Sequence, residues 1–190
     1  MLNVVIFGAP GSGKGTQSKL IAEKYNLAHV STGDLLRQAI HNNTHEGVIA
    51  KSYIDKGELV PDEVIIGMLD AFMEKLPQGK GIIFDGYPRT VSQAETLMEM
   101  MKDHGTKVSV LLNLEVDEAE LMDRLLKRAE TEGRSDDNPE TIKKRLSVYE
   151  TQTLPVIEFY RKKRLYKPIK GVGEVTEIFD RISEVLNELK

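Results

Sequence analysis

The sequence predicts an α/β protein with one parallel sheet of five strands and helices on both faces. Short apolar runs alternate with longer helical patterns along the chain, which is typical of parallel strands joined by helices. A chain of 190 residues can bury one substantial core with one or two small inserted lobes. A glycine-rich segment lies between the first apolar run and the first helical pattern. We therefore expect a single domain that covers residues 1–190.

The apolar runs give the strands in chain order. They are predicted at residues 2–7, 28–30, 82–84, 108–114 and 166–169. The helices with clear patterns are predicted at residues 14–25, 140–163 and 175–189. The second of these helices begins after Asn138 and Pro139, a pair that suits a cap and a first helical position. Pro155 should kink it or begin a new segment, because proline lacks the N–H that a helix interior needs.

Two segments do not fit the simple alternation. Residues 32–60 have a helical pattern without a matching strand, which predicts a helical lobe inserted at about 31–60. Residues 127–137 (KRAETEGRSDD) are charged, contain Gly133 and have little to bury, which predicts a mobile surface loop. An inert connection is one interpretation of this loop. A lid at about 127–137 is the other, favoured by Arg128 and Arg134 in an otherwise acidic background.

Composition limits the classes of function. The chain is 40% hydrophobic and 29% charged, and its 26 basic and 30 acidic residues give a net charge of −4. A broad basic surface for nucleic acid is therefore not expected. The chain has no cysteine, which excludes disulfides, a thiol nucleophile and cysteine zinc sites. It has no apolar run as long as a membrane span and no basic leader, so we expect a soluble cytoplasmic protein without membrane partners.

Residues 8–16 read GAPGSGKGT directly behind the first predicted strand. This arrangement of strand, glycine-rich loop and helix surrounds nucleotide phosphates with backbone N–H groups, to which the N-terminus of the helix adds positive charge. Lys14 would reach the outer phosphates, and the Thr16 hydroxyl would face a magnesium ion. Gly15 is an insertion relative to the GxxxxGK[ST] template. A simple turn is the alternative, but the context favours a site for a nucleoside triphosphate.

Phosphoryl transfer requires cations that are positioned around the phosphates, preferably arginines. Residues 85–89 (DGYPR) follow a buried-type strand at its carboxyl end, where ligand sites lie in open α/β sheets. Asp85 could hold magnesium there, directly or through water. Taken singly, a candidate arginine is more often a solvated surface residue than a catalyst, but Arg89 differs because it lies in this segment. The candidates are Arg37, Arg89, Arg124, Arg128, Arg134 and Arg145.

Five blocks of sequence resemble the adenylate kinase family, which interconverts ATP and AMP with two ADP. GAPGSGKGTQ carries the family's additional glycine between lysine and threonine. The other blocks, in family order, are STGDLLR at 31–37, KGELVPDE at 56–63, DGYPRTVSQAE at 85–95 and GRSDDNPETIKKRL at 133–146. The resemblance implies a P-loop NTPase-type sheet, a helical monophosphate-binding lobe and a short lid loop. It also implies a monomeric, Mg²⁺-dependent enzyme that maintains adenine nucleotide balance.

The resemblance also assigns residues to the two nucleotides. The expected ATP-binding residues are Gly11, Ser12, Gly13, Lys14, Gly15, Thr16, Arg124, Arg128 and Gly173. The expected AMP-binding residues are Thr32, Arg37, Glu58, Leu59, Val60, Gly86, Tyr87, Pro88, Arg89, Gln93, Arg134 and Arg145. The expected catalytic residues are Lys14, Arg89, Arg128, Arg134 and Arg145.

Several of these roles are specific. Gln93 would recognise adenine, because an amide both donates and accepts. Arg124 could stack on the ATP base, Gly173 would offer it backbone contacts, and Asp85 would order magnesium through its waters. Asp136 and Asp137 would help to hold a closed lid. Closure would exclude water as a competing acceptor, and we expect lid and lobe motion or product release to limit turnover.

Some family members have a longer lid that cysteines staple through zinc. The corresponding segment here is short and lacks cysteine, so we expect no structural zinc. His41 and His45 have helical i,i+4 spacing, but no third ligand is evident, and surface positions suit them better than a metal site.

Three rival functions stay open. Pyrimidine monophosphate kinases differ from the AMP type at the positions of Thr32 and Gln93, which favour AMP here. A GTPase-like switch would carry Asn-Lys-x-Asp, whereas residues 113–116 read NLEV. A small-metabolite kinase would have no need of the blocks that resemble the AMP lobe.

Overall fold

The computed structural model describes residues 1–134 and 136–189 and contains one sheet of five parallel strands. The strands are β1 (Asn3–Gly8), β2 (Ala28–Ser31), β3 (Ile82–Asp85), β4 (Val110–Glu115) and β5 (Tyr166–Lys170). Their spatial order is β2-β3-β1-β4-β5, and every neighbouring pair is parallel. Each predicted strand is present, so the predicted fold class is confirmed.

Helices connect the strands in chain order. The described helices are α1 (Lys14–Lys24), α2 (Thr32–His41), α3 (His45–Ile54), α4 (Asp62–Met73), α5 (Val91–Asp103), α6 (Glu118–Glu132), α7 (Pro139–Val148), α8 (Pro155–Lys162) and α9 (Val175–Asn187). A π-helical turn, Tyr149–Thr153, connects α7 to α8. Within the described residues, none of these helices has both the length and the apolar character that a membrane crossing requires.

Alternation along β1 divides the core between the two faces of the sheet. Val4 and Ile6 pack in one apolar cluster with side chains of α1 and α9. Val5 and Phe7 point to the opposite face and join a larger cluster formed with α2, α4, α5 and α8. Because successive strand residues point to opposite faces, a continuous apolar strand requires helices on both sides. The carboxyl edge of the sheet remains available for a site.

The segment predicted as a surface loop is partly helical. Helix α6 continues to Glu132, so the loop predicted over residues 127–137 is wrong for residues 127–132. This stretch consists of strong helix formers, and they extend a helix that is already anchored by buried Leu121 and Leu125. Gly133 ends the helix in the left-handed conformation, with a φ of 60°. Ser135 of the predicted lid lies outside the described residues.

The helix predicted over residues 140–163 is divided as the prolines suggest. The Asn138 side chain accepts a hydrogen bond from the Thr141 N–H at 2.9 Å, and Pro139 is the first residue of α7. Pro155 begins the separate helix α8. The prediction of a start at Asn138 and of a new segment at Pro155 is therefore confirmed.

The helical character predicted for residues 32–60 is confirmed in α2 and α3, which pack closely together. A Cβ atom added at Gly47 of α3 would lie 2.1 Å from the Ala39 carbonyl oxygen of α2. His41 ends α2 and His45 begins α3, so the two residues do not share a helix, and both are exposed, as expected of surface positions. Thr44 caps α3 by accepting a hydrogen bond from the Gly47 N–H at 3.1 Å, which separates the two helices.

Candidate active site

Three neighbouring strands deliver the predicted site residues to one edge of the sheet. β1 leads into the glycine-rich loop, β2 into Thr32 at the start of α2, and β3 into Gly86. Gly86 has a φ of 82°, and a Cβ there would lie 2.8 Å from the Thr32 Oγ1. Because this conformation favours glycine and no side chain fits, the two segments approach closely only with glycine at this position.

Lys14 folds back over the glycine-rich loop. Its Nζ donates hydrogen bonds to the carbonyl oxygens of Gly8 at 2.7 Å and Ala9 at 2.9 Å. Burial lowers the pKa of Lys14 to about 7; the charge of Asp85 opposes this shift, while Arg89 and other nearby arginines add to it. An ammonium group whose charge is disfavoured in this way is stabilised when a phosphate anion approaches.

A cleft beside Lys14 contains most of the predicted acceptor residues. Its lining includes Thr32, Arg37, Glu58, Leu59, Val60, Gly86, Tyr87, Pro88, Arg89, Gln93 and Arg145, together with Lys14 from the glycine-rich loop. Arg134 does not line this cleft, and its Nε instead pairs with Glu132 Oε2 at 2.6 Å. The structure therefore brings all of the predicted AMP residues except Arg134 to one cavity that Lys14 also lines.

Arg89 is the most unusual cation of this cleft. Its Nε donates to the Gly86 carbonyl oxygen at 2.7 Å, and within the described part of the chain it forms no ion pair with a carboxylate. Burial and the positive charge of Arg145 together lower the pKa of Arg89 to about 10, although the charge of Asp85 opposes the shift. A buried guanidinium beside other cations is costly unless an anion neutralises it. The arrangement suits a phosphate group. Arg37, by contrast, is more exposed and pairs with Asp34.

Arg128 and Arg145 are joined by a buried carboxylate. Asp137 Oδ2 accepts from Arg128 Nε at 2.6 Å, and its Oδ1 accepts from Arg128 Nη2 and Arg145 Nη1, both at 2.7 Å. Arg145 also pairs with Asp136 at 2.9 Å. Burial alone would raise the pKa of the Asp137 carboxyl, but the hydrogen bonds and charges of Arg128 and Arg145 outweigh it and lower the pKa. The two arginines are therefore neutralised in this arrangement.

Asp85 provides a carboxylate at the end of β3 that fits a magnesium site. Its Oδ2 accepts from Ser18 Oγ at 3.1 Å and lies 3.6 Å from His29 Nε2. Burial alone would raise the pKa of Asp85, but His29, Lys14 and Ser18 outweigh it and hold the pKa below its usual range. A Cβ at Gly15 would lie 3.8 Å from the same oxygen, so the carboxylate faces the glycine-rich loop. An ionised carboxylate near phosphates is a usual magnesium partner.

The other predicted ATP residues lie around the glycine-rich loop and outside the acceptor cleft. They are Gly11, Ser12, Gly13, Gly15, Thr16, Arg124, Arg128 and Gly173. Arg124 joins the loop to two other elements: it pairs with Glu120 at 2.8 Å and donates to the carbonyl oxygens of Ser12 at 3.4 Å and Gly171 at 3.1 Å. The loop after β5, which contains Gly173, is thereby held near the glycine-rich loop.

Sequence reasoning missed the apolar wall of the cleft. Leu36, Ile65, Val148, Tyr149 and Thr153 line it from α2, α4, α7 and the π-helical turn. Leu36 lies within the STGDLLR block, which was a usable signal. The other four come from segments whose apolar residues have no feature that distinguishes them from core positions.

The fold and the site together define a class of protein. A phosphate-binding loop on a parallel sheet, next to a second cationic cleft that the loop lysine shares, is the arrangement of a P-loop phosphotransferase that acts on nucleoside monophosphates. The family model described as adenylate kinase matches residues 6–165. The chain belongs to the adenylate kinase family, and its activity is the phosphotransfer reaction ATP + AMP = 2 ADP.

Curated relatives agree along the full length of the chain. The chain is 56% identical over 190 residues to the adenylate kinase of Parabacteroides distasonis, and the alignment covers 100% of both proteins. It is 54% identical over 189 residues to the adenylate kinase of Bacteroides thetaiotaomicron, again over 100% of each. The adenylate kinase of Porphyromonas gingivalis W83 is 47% identical over 190 residues, which is 100% of this chain and 98% of the relative.

Proposed function

We propose that the cleft beside Lys14 binds AMP and that the glycine-rich loop binds ATP, so that the transferred phosphoryl group passes over Lys14. The observation that carries this proposal is the position of Lys14, which lines the same cleft as Arg89 and Arg145. An AMP phosphate oxygen attacks the γ-phosphorus of ATP, and the bond to the β,γ-bridging oxygen breaks to release ADP. Catalysis then depends on positioning and on charge stabilisation, for which these cations are suited.

The cations have separate tasks in this proposal. Arg37 and Arg89 hold the AMP phosphate, and Arg89, which pairs with no carboxylate among the described residues, gains most from the anion. Lys14 follows the transferred group. Arg128 contacts ATP, and Arg134 and Arg145 approach the phosphoryl group when the lid at about 127–137 and the lobe at about 31–60 close. Closure of these two segments excludes water, and their opening or product release limits turnover.

Mg²⁺ completes the donor site in this proposal. Asp85 and Thr16 are the residues that would hold a Mg²⁺ ion beside the ATP phosphates. The buried, ionised carboxylate of Asp85 beside the glycine-rich loop supports this position, as does the exposed location of Thr16 on the first turn of α1. When bound, the ion would supply positive charge against the phosphates, and the protein side chains would orient them.

Base recognition uses different elements for the two nucleotides. Thr32 and Gln93 recognise the AMP base; both are buried and both line the cleft. Glu58, Leu59, Val60 and the segment 86–88 enclose the rest of AMP. Arg124 and the backbone of Gly173 contact the ATP base, a role supported by the bond between Arg124 and the neighbouring Gly171 carbonyl.

We also infer a monomeric, cytoplasmic enzyme. Among the described residues, large exposed apolar side chains are distributed over different elements, as Val48 of α3, Leu126 of α6 and Val175 of α9 illustrate. Such isolated side chains are ordinary on a monomer surface. Sedimentation at micromolar concentration tests this inference, and a stable dimer would contradict it.

The decisive experiment measures Mg²⁺-dependent ADP formation from ATP with AMP, UMP, CMP or no acceptor, in the native protein and in Arg89→Lys. We expect rapid turnover with AMP, and a loss of about 10³-fold in Arg89→Lys, because lysine cannot reproduce a bidentate contact to phosphate. Arg161→Lys is the matched control, since Arg161 is exposed and pairs with Glu158 on α8. An Arg89→Lys rate within tenfold of the control would contradict the proposed acceptor site.

A further inference from the structure

The side-chain amide of Gln93 is held at both ends. The Arg89 backbone N–H donates to Gln93 Oε1 at 2.7 Å. At the other end, Gln93 Nε2 donates to Asp62 Oδ1, also at 2.7 Å. Gln93 is only 3% exposed and sits in the first turn of α5, where its own N–H donates to the Thr90 cap at 3.2 Å. Its side chain therefore has a fixed position in the wall of the cleft.

The chemistry of the two partners fixes the direction of the amide as well as its position. A backbone N–H can only donate, and an ionised carboxylate can only accept. Rotation of the Gln93 amide by half a turn would place its NH₂ against the Arg89 N–H and its oxygen against the Asp62 carboxylate. Both contacts would become repulsive, so the Arg89 N–H and the Asp62 carboxylate each favour the same orientation of the amide.

Asp62 makes this selection without contacting the cleft itself. It is the first residue of α4, and it is absent from the cleft lining that includes Gln93. Its bond to Gln93 crosses between α4 and α5, and the two residues are 31 positions apart in the chain. The amide still has one N–H and one oxygen lone pair that are not used by these partners, and these are the groups available to a ligand.

The fixed amide divides nucleobases into two groups. Adenine has an acceptor at N1 beside a donor amino group at C6, and cytosine has the same pair at N3 and C4. In both bases the ring nitrogen can accept from the Gln93 N–H while the amino group donates to the Gln93 oxygen. Hypoxanthine, guanine and uracil have a ring N–H beside a carbonyl oxygen, which is the reverse order. A site that forms hydrogen bonds with one of these arrangements leaves buried polar groups without partners when a base with the reverse arrangement binds.

We propose that Asp62 is a specificity-determining residue that, through Gln93, makes the acceptor site select bases with an amino edge over bases with a keto edge. This inference rests on the proposed function, in which Gln93 recognises the acceptor base. Asp62 is a positioning residue, since it acts on the base only through the amide that it orients.

A structural role alone would have a different consequence. An acidic residue in the first turn stabilises a helix through its dipole, and Glu63 occupies the same turn of α4. Loss of such stabilisation would lower the melting temperature and affect all acceptors alike. Loss of orientation would instead change the ratio between acceptors, because only keto bases gain from a rotated amide.

The test uses Asp62→Asn, which keeps the shape of the side chain but offers a donor as well as an acceptor, and Asp62→Ala, which removes both. The ratio of kcat/KM for AMP to kcat/KM for inosine monophosphate is measured with saturating ATP and Mg²⁺. We expect this ratio to fall by about tenfold in Asp62→Ala, where the hydrogen bond to a charged group is lost, and by less in Asp62→Asn, whose amide oxygen can still accept from Gln93. The ratio of CMP to UMP should fall in the same direction. Glu63→Gln is the matched control, because Glu63 is exposed, and its ratio should match that of the native protein.

The variant Gln93→Leu distinguishes recognition of the base by Gln93 from orientation of Gln93 by Asp62. If Gln93→Leu abolishes the preference for AMP while both Asp62 variants keep the native ratio, the inference about Asp62 is overturned and the proposed acceptor site stands. If Gln93→Leu itself keeps the native ratio, Gln93 does not recognise the base and that part of the proposed function fails. A uniform loss with all acceptors in the Asp62 variants, at an unchanged ratio, would also overturn the inference, because it would show a structural role only.

Discussion

The carboxylate of Asp137 should be a principal source of stability in the nucleotide-free protein. Its side chain is 0% exposed and accepts three hydrogen bonds from two guanidinium groups, those of Arg128 and Arg145. Asp137→Asn replaces one acceptor oxygen with an NH₂ group, so at least one of the three bonds is lost and the others weaken. Breaking a buried ion pair costs about 3–5 kcal/mol. Because the arginine side chains are 22% and 17% exposed, we expect the lower end of this range.

A loss of about 3 kcal/mol in the free energy of unfolding should lower the melting temperature by roughly 6–12 °C for a chain of this size. Urea unfolding at pH 7 without nucleotide, followed by circular dichroism, measures it directly. Glu158→Gln is the control, because the exposed pair with Arg161 at 3.2 Å should contribute less than about 1 kcal/mol. A buried pair should contribute more to the free energy of unfolding than an exposed pair. The reasoning is refuted if the free energies of unfolding of Asp137→Asn and Glu158→Gln differ by less than about 1 kcal/mol.

A comparison of the native protein with Asp137→Asn also tests how the free energy of unfolding depends on pH. Arginine contacts hold the pKa of Asp137 in the folded protein below its usual value. The carboxylate therefore contributes its full stability above the unfolded carboxyl pKa of about 4. This contribution is lost as the pH falls through the lowered folded pKa. The difference in stability between the native protein and Asp137→Asn should accordingly persist from neutral pH to about pH 5 and shrink in more acidic solution.

Three further predictions concern the glycine-rich loop, the helical lobe and α4. Because burial lowers the pKa of Lys14 to about 7 and a bound polyphosphate favours the ammonium form, ADP binding should take up about half a proton at pH 7, more at pH 8 and less at pH 6. Calorimetry in buffers of different ionisation enthalpy measures this uptake, and an equal uptake in Lys14→Met would contradict it. Gly47→Ala should destabilise the protein by about 3 kcal/mol, since its Cβ would lie 2.1 Å from the Ala39 backbone oxygen. Gly67→Ala, which has open space in α4, should instead stabilise it by about 0.5–1 kcal/mol; urea unfolding checks both, and effects of the same sign would contradict the packing argument.

The sequence predicts what local pattern determines. Apolar runs locate every strand, and the GAPGSGKGT loop identifies the phosphate site, because strand burial and loop chemistry are properties of consecutive residues. The start of α7 at Pro139 is predictable for the same reason. The extension of α6 to Glu132 was not predicted, because the charges of this stretch suggested a loop while its helix propensity and the buried Leu125 favoured a helix.

Contacts between distant segments are the part of the site that pattern cannot supply. The bond from Gln93 to Asp62 joins residues 31 positions apart, and the acidic residue has no local feature that identifies it as a partner. Asp137 was predicted to hold a lid, but the sequence gives no indication that its carboxylate bonds both Arg128 and Arg145. Such pairs depend on how helices pack on the sheet, and only the folded structure defines that packing.

The arginines near the glycine-rich loop and the cleft differ in whether a carboxylate already pairs with them. Arg128 and Arg145 already form ion pairs with the Asp137 carboxylate. A phosphate that binds them replaces one anion with another, so the free energy gained is the difference between two similar interactions. Arg89 has no such partner in the described residues, and its lowered pKa of about 10 reflects a charge that burial and Arg145 disfavour. A phosphate bound at Arg89 would therefore relieve this cost. In the proposed function, a phosphate therefore reaches Arg89 without displacing a carboxylate, whereas Arg128 and Arg145 can bind a phosphate only when they release Asp137.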